Sequence, residues 1–174
     1  MAIDTTKKVK KITVDGTEME LVGGSEKSKL AQAVDESITE ITAKDLEGAT
    51  KIRYYFFELM PLVSVEIPDS VTLIEELAFA DCEYLENLII GKGITNILRT
   101  AFGGCFNLRE MTILATTPPT IQRDSFPEGL TTIYIPAGTL SAYQTATNWS
   151  NFSDKFVEIG GGSDSPVEPD SGNP

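Results

Sequence analysis

Histidine is absent from the 174 residues, cysteine occurs twice and tryptophan once. Without an imidazole, Ser-His and Cys-His nucleophile activation and histidine-based zinc sites are unavailable. Bases are scarce too: 14 Lys and Arg stand against 26 Asp and Glu, for a net charge of -12. A DNA or RNA backbone would be repelled by most of such a surface, so no nucleic-acid partner is expected. No run of about 18 apolar residues occurs, so no transmembrane segment is expected. The opening MAIDTTKKVKKITVDG also lacks the uninterrupted apolar stretch of a secretory signal. Gly103-Gly104 and the final glycines sit in no strand-to-helix phosphate loop. Glu75 and Glu76, adjacent on a loop, carry no acid-base geometry. No catalytic, metal or cofactor-binding residue is assigned, and the chain reads as non-enzymatic.

What the sequence does have is a period. Phe79, Cys82, Leu85, Leu88 and Ile90 return as Phe102, Cys105, Leu108, Met111 and Ile113, each 23 residues later. One copy reads IPDSVTLIEELAFADCEYLENLII, from Ile67 to Ile90, and the next IGKGITNILRTAFGGCFNLREMTI, from Ile90 to Ile113. A period in the twenties means that each unit is one supersecondary turn unable to bury its apolar side alone, so turns stack into a solenoid. Upstream, Leu62, Val65 and Ile67 hold the same places in LVSVEI; Phe56 matches Phe79, and Leu59 stands where the cysteines would be. Ser37 to Ile52 resembles Ser70 to Leu85 at an offset of 33, as either an extra half-turn or a diverged copy with an insertion. Downstream, Ile121 and Phe126 follow Ile97 and Phe102 by 24 residues, whereas Leu130 follows Leu108 by only 22, a shortened terminal unit.

The phrases IPDSVTLIEELAFADCEYLENLII and GITNILRTAFGGCFNLREMTI resemble the BspA-type leucine-rich repeat, with its I-P-x-S-V-T-x-I opening, A-F-x-x-C-x-x-L middle and I-x-I-P close. The likeness is strongest over residues 62 to 136. The run from Ile133 to Ile159 is similar to the closing segment that often follows such repeats in proteins of gut bacteria and their phages. Residues 1 to 36 and 160 to 174 lie outside it. The resemblance implies an α/β fold: a short solenoid of parallel strands, capped by an N-terminal β-hairpin and helix and by a C-terminal helix and strand. Each L-x-x-L-x-I run is then a strand with its apolar side chains inward. Equivalent residues form ladders, among them Leu62, Leu85, Leu108 and Leu130, and Phe56, Phe79, Phe102 and Phe126.

The ends divide as residues 1–24, an arm and hairpin for attachment; 25–136, the solenoid; 137–159, a closing segment; and 160–174, a Gly, Pro and acid-rich tail. Ile12 and Val14, then Met19 and Leu21, alternate with polar residues about Asp15-Gly16, which suits a two-residue hairpin turn. Lys7, Lys8, Lys10 and Lys11 form the one basic cluster, either a solvated arm or an electrostatic dock onto an acidic partner. Leu30, Val34 and Ile38 recur at helical spacing behind Ser25, so SEKSKLAQAVDESI is either a short helix over the first turn or a degraded repeat. TLSAYQTATN reads as a second helix, with Trp149, Phe152 and a last strand, Phe156 to Ile159, following it.

Binding, if the strands alternate, belongs to the residues facing outward. They form one column of Ser64, Asn87, Glu110 and Thr132 and another of Glu66, Ile89, Thr112 and Tyr134, in which Ile89 and Tyr134 can anchor a partner. The bland alternative is an ordinary sheet surface. Cys82 and Cys105 share one repeat position, as buried free thiols or as a disulfide between turns. KKVKKITVDGTEMELV is similar to the openings of small structural proteins of phages of gut Gram-positive bacteria. Display on a virion surface is therefore expected, as a head or tail decoration, fibre or adhesion component. The partners would be a protein or glycan on the host surface, or further subunits through self-association. The alternative is a bacterial cell-surface adhesin or protein-interaction module.

Overall fold

The computed structural model describes residues 39–160, together with the backbone of two short strands before them. Those strands, β1 (Ile12–Val14) and β2 (Thr17–Met19), pair antiparallel with Ile12 opposite Met19 and Val14 opposite Thr17, the expected hairpin. Lys7, Lys8, Lys10 and Lys11, the expected helix over SEKSKLAQAVDESI and the tail from 161 onward lie outside the described residues.

From Glu40 to Pro136, successive strands alternate between two sheets. They are β3 (Glu40–Ile41), β4 (Lys51–Ile52), β5 (Ser64–Ile67), β6 (Leu73–Ile74), β7 (Asn87–Ile90), β8 (Asn96–Ile97), β9 (Glu110–Ile113), β10 (Thr120–Ile121), β11 (Thr132–Pro136) and β12 (Phe156–Ile159). The odd members and β12 build a six-stranded parallel sheet in the order β12-β11-β9-β7-β5-β3; the even ones build a four-stranded parallel sheet, β10-β8-β6-β4. Alternation of burial suits a strand with one face on the core, and β7 shows it, with Leu88 and Ile90 inward and Asn87 and Ile89 outward. Between the two sheets lies the core. Leu62, Leu85, Leu108 and Leu130 are fully buried, and so are Ile52, Ile74 and Ile97. Each such side chain contributes roughly 1.5–3 kcal/mol relative to exposure.

The expected short solenoid of parallel strands is present, and helix is a minor part of it, so the α/β label gives way to parallel β-solenoid. The described residues contain one six-residue helix, α1 (Leu140–Thr145), and one 3-10 turn, Trp149–Phe152. The helix expected over TLSAYQTATN stops early because Ala146 is extended and Asn148 adopts a left-handed φ of 66°. No helix among the described residues is long and apolar enough to cross a membrane.

The side opposite the long strands is a series of corners rather than helices. Positive φ recurs at Tyr55, Leu77 and Thr100, and again at Leu59, Asp81 and Gly104, so the same two places in successive turns are left-handed. Holding a residue with a Cβ there costs on the order of 1–2 kcal/mol. Backbone bonds between turns offset it: Phe57 N–H donates to Ala78 O at 2.8 Å, Phe79 N–H to Ala101 O at 2.8 Å and Asp81 N–H to Gly103 O at 2.7 Å. At Gly104 the fit is tight, since an added Cβ would collide with the Asp81 carboxylate.

Three assignments change in the first turns. β4 pairs with β6 as Ile52 to Ile74, so this turn is 22 residues long. The ring stack accordingly begins with Phe57, not Phe56: Phe57 and Phe79 are 4.9 Å apart, Phe79 and Phe102 5.0 Å, Phe102 and Phe126 5.4 Å, all nearly parallel. Phe56 instead meets Phe57 edge-on. Met60, 1% exposed, takes the cysteine rung, while Leu59, 50% exposed, sits at the left-handed corner. The residue missing from this turn falls between Phe57 and Leu62, a place where strand spacing gives no register. The offset of 33 is also replaced. Glu40 and Ile41 pair with Ser64 and Val65, so the segment is a full turn spaced 22 to 24 residues from the next. A polar residue followed by Ile is enough for either sheet, which is why Ile41 could be mistaken for a counterpart of Ile74.

Beyond β11 the ring stack continues. Trp149, fully buried, lies 5.7 Å from Phe126 and 5.3 Å from Tyr143, and its Nε1–H donates to Pro119 O at 2.7 Å. Tyr143 donates its hydroxyl to Ala115 O at 2.8 Å, and burial pushes its phenol up from the ordinary value.

Candidate interaction face

The outward side of the six-stranded sheet is built by register. Ser64 pairs with Asn87, Asn87 with Glu110 and Glu110 with Thr132; Glu66 pairs with Ile89, Ile89 with Thr112 and Thr112 with Tyr134. All eight expected residues therefore stand in two straight columns, with rungs about 4.8 Å apart. None of the eight is buried, and Ile89 is 41% exposed. The alternation that buries Val65, Leu88, Met111 and Ile133 is what turns their neighbours outward.

Pairing at the two ends lengthens both columns beyond the expected residues. Glu40 precedes Ser64 in the first, and Val157 follows Tyr134 in the second. Glu40 was missed because its turn was taken at the wrong offset. Val157 was missed because Phe156 to Ile159 is recognisable as a strand without revealing which residue meets which.

The columns differ in chemistry along their length. Glu40 and Glu66 make the face acidic toward β3 and β5, Tyr134 and Val157 make it apolar toward β12, and Glu110 on β9 stands beside the apolar end. Tyr134 donates its hydroxyl to Glu110 Oε2 at 3.2 Å across the two strands, and that acceptor holds the phenol above its ordinary pKa. The bond ties the ring to the neighbouring strand of the sheet. Other exposed aromatics, Tyr84 at 59% and Phe106 at 65%, lie in the loops before β7 and β9 and belong to neither column.

Chemistry at the cysteine rung is structural. Cys82 and Cys105 are free and buried; the Cys82 thiol donates to Phe57 O at 3.1 Å and the Cys105 thiol to Phe79 O at 3.2 Å, each reaching back one turn. The neighbouring Cys105 sulfur and burial both push the Cys82 thiol up. A thiol held protonated is a poor nucleophile. The folded protein should incorporate no iodoacetamide at either position at pH 8, and both should label in denaturant; rapid native labelling, read by mass spectrometry, would contradict this. Among the described residues no three Asp, Glu, Cys or His side chains converge as a metal site would require.

A model of the BspA type leucine rich repeat region matches in six copies over residues 36–157. The chain belongs to the BspA-type leucine-rich repeat family. Six copies accord with the six strands of the long sheet, the last being β12. Among curated proteins the chain has no match. Leucine-rich repeats of this kind generally serve as binding scaffolds, because stacked short units present a long continuous face.

Proposed function

We propose that this BspA-type repeat protein is a non-enzymatic binding module whose partner lies against the two outward columns, with Ile89 and Tyr134 as its anchors. The observation behind this is the unbroken register that lines up Glu66, Ile89, Thr112 and Tyr134 on one exposed face. An aromatic and an exposed aliphatic among polar neighbours match the composition of energetically dominant contact residues. The place of display is the surface of a phage particle, a reading that rests on the likeness of KKVKKITVDGTEMELV to phage structural proteins. The partner is then a protein or glycan of the host envelope.

Both halves are testable. Ile89→Asp combined with Tyr134→Ala should leave the circular dichroism unchanged and lower binding of the labelled protein to host cells at least about tenfold. Unchanged binding would remove the columns from consideration and move the site to an end segment. Mass spectrometry of purified virions should find the chain. Recovery from the bacterial envelope alone would replace the particle with a cell-surface adhesin.

A further inference from the structure

The last strand breaks the rule that the others obey. In β12 the positions following the inward residues Ile133 and Ile135 across the ladder are Phe156 and Glu158, and the outward ones are Val157 and Ile159. A carboxylate thus takes an inner position, accepting a bond from Leu140 N–H at 2.9 Å, while Val157 and Ile159 stand 44% and 38% exposed. The core itself is covered at this end, since Trp149 and Tyr143 are fully buried. What remains open is the strand edge and its outward aliphatic pair.

Backbone polarity defines that edge. Ile133 N–H donates to Lys155 O at 2.8 Å and Ala137 N–H to Ile159 O at 3.0 Å, so these alternate residues turn their peptide groups toward β11. Phe156 and Glu158 therefore turn theirs away. β12 is the terminal strand, and no described residue accepts a bond from either N–H. Such an edge is a template for another strand.

We propose that the strand supplied is β12 of a second copy of this chain, antiparallel, on a two-fold axis through Val157 perpendicular to the sheet. That axis places Phe156 of one copy opposite Glu158 of the other, twice. Each pair offers both an N–H and a C=O toward its partner, so the unpaired groups of both edges are satisfied together. The axis also keeps the outward faces on one side, joining Val157, Ile159 and Tyr134 of each copy into one apolar strip across the seam.

Charge favours the same arrangement. The chain carries -12, which opposes most self-contacts, yet the outward residues of β11 and β12 include no carboxylate, and the one acid of β12, Glu158, is on the inner side, where Leu140 N–H binds it. Glu110, the nearest outward acid, is two strands in from β12, at about 10 Å and beyond the Debye length of about 8 Å at physiological salt. Pairing β12 with the opposite edge would offer only the two residues of β3, beside Glu40, and would not close.

The test uses the full-length chain. Val157 pairs with itself at a non-hydrogen-bonded position, where Cα atoms are about 4.5 Å apart and within disulfide reach. Under mild diamide oxidation Val157→Cys should give at least about tenfold more disulfide-linked dimer than Thr112→Cys, an interior residue of the same column. Equal yields, or none, would overturn the pairing. Light scattering of the unaltered protein at about 100 μM should give twice the mass of one chain, and Val157→Lys should return it to a monomer with unchanged circular dichroism. A monomer throughout, an open-ended polymer, or a dimer indifferent to Val157→Lys would each refute it.

Discussion

Phe102→Ala should lower the free energy of unfolding by about 3–5 kcal/mol, the cost of emptying a large aromatic site in a packed core. Phe102 is fully buried, with Phe79 stacked 5.0 Å away on one side and Phe126 5.4 Å away on the other. Removing it takes a ring from the middle of a column, and the turns cannot collapse onto the gap because the strands on both sides are fixed by their ladders. A second effect follows from the one-dimensional architecture. Each turn touches only its neighbours, so the interface between adjacent turns carries the cooperativity. Urea unfolding of the variant should therefore separate into two phases, with amide exchange faster on one side of the hole than on the other. A single transition shifted by less than about 1 kcal/mol would mean that the ring column contributes little.

Trp149→Ala should be comparably damaging, at about 3–5 kcal/mol. The indole meets Phe126, Tyr143, Phe152 and Phe156, with ring centroids 5.3 to 6.2 Å away. Its loss also leaves Pro119 O without the donor that now reaches it at 2.7 Å, and an unsatisfied buried carbonyl costs about 1–3 kcal/mol of that total. The two variants should nonetheless fail differently. In Trp149→Ala the loss of exchange protection should start in residues 132–159 and leave β5 and β7 protected, whereas Phe102→Ala should affect the middle. Trp149→Phe retains most ring contacts without the N–H and should recover more than half of the loss. Uniform loss of protection in Trp149→Ala would show that the closing segment is not a separate unit of stability.

Register along the long strands was legible from residue types because one periodicity served twice: alternation put Val65, Leu88, Met111 and Ile133 inside, and the 23-residue period, shortened to 22 at the last step, placed each above the next. The outward columns then followed without further information. The corners were not legible. Tyr55, Leu77 and Thr100 share a left-handed conformation without sharing any side-chain property, and Leu59, Asp81 and Gly104 share one too, although glycine alone would normally announce it. The choice between Phe56 and Phe57 lay in that same region, where adjacent identical residues erase the count. β12 was visible as a strand but not as a paired one, since its inner and outer residues reverse the usual polarity. The absence of long helices could not be read either: short corner segments rich in Ala, Phe and Leu carry helical composition, and only the backbone bonds between turns exclude the helix.

Successive turns differ in length, and yet both sheets stay in step. Ile52 meets Ile74 after 22 residues, Ile74 meets Ile97 after 23 and Ile97 meets Ile121 after 24, with every added or missing residue taken up at a bend. A strand of strict alternation tolerates no such change, because one extra residue inside it would exchange its two faces. Length variation and the regular outward columns are thus placed on different sides of the molecule. Insertions, deletions and whole duplicated turns can accumulate at the bends while the order of side chains on the outward face of the long sheet is preserved, which makes this architecture suited to descent by copying and trimming.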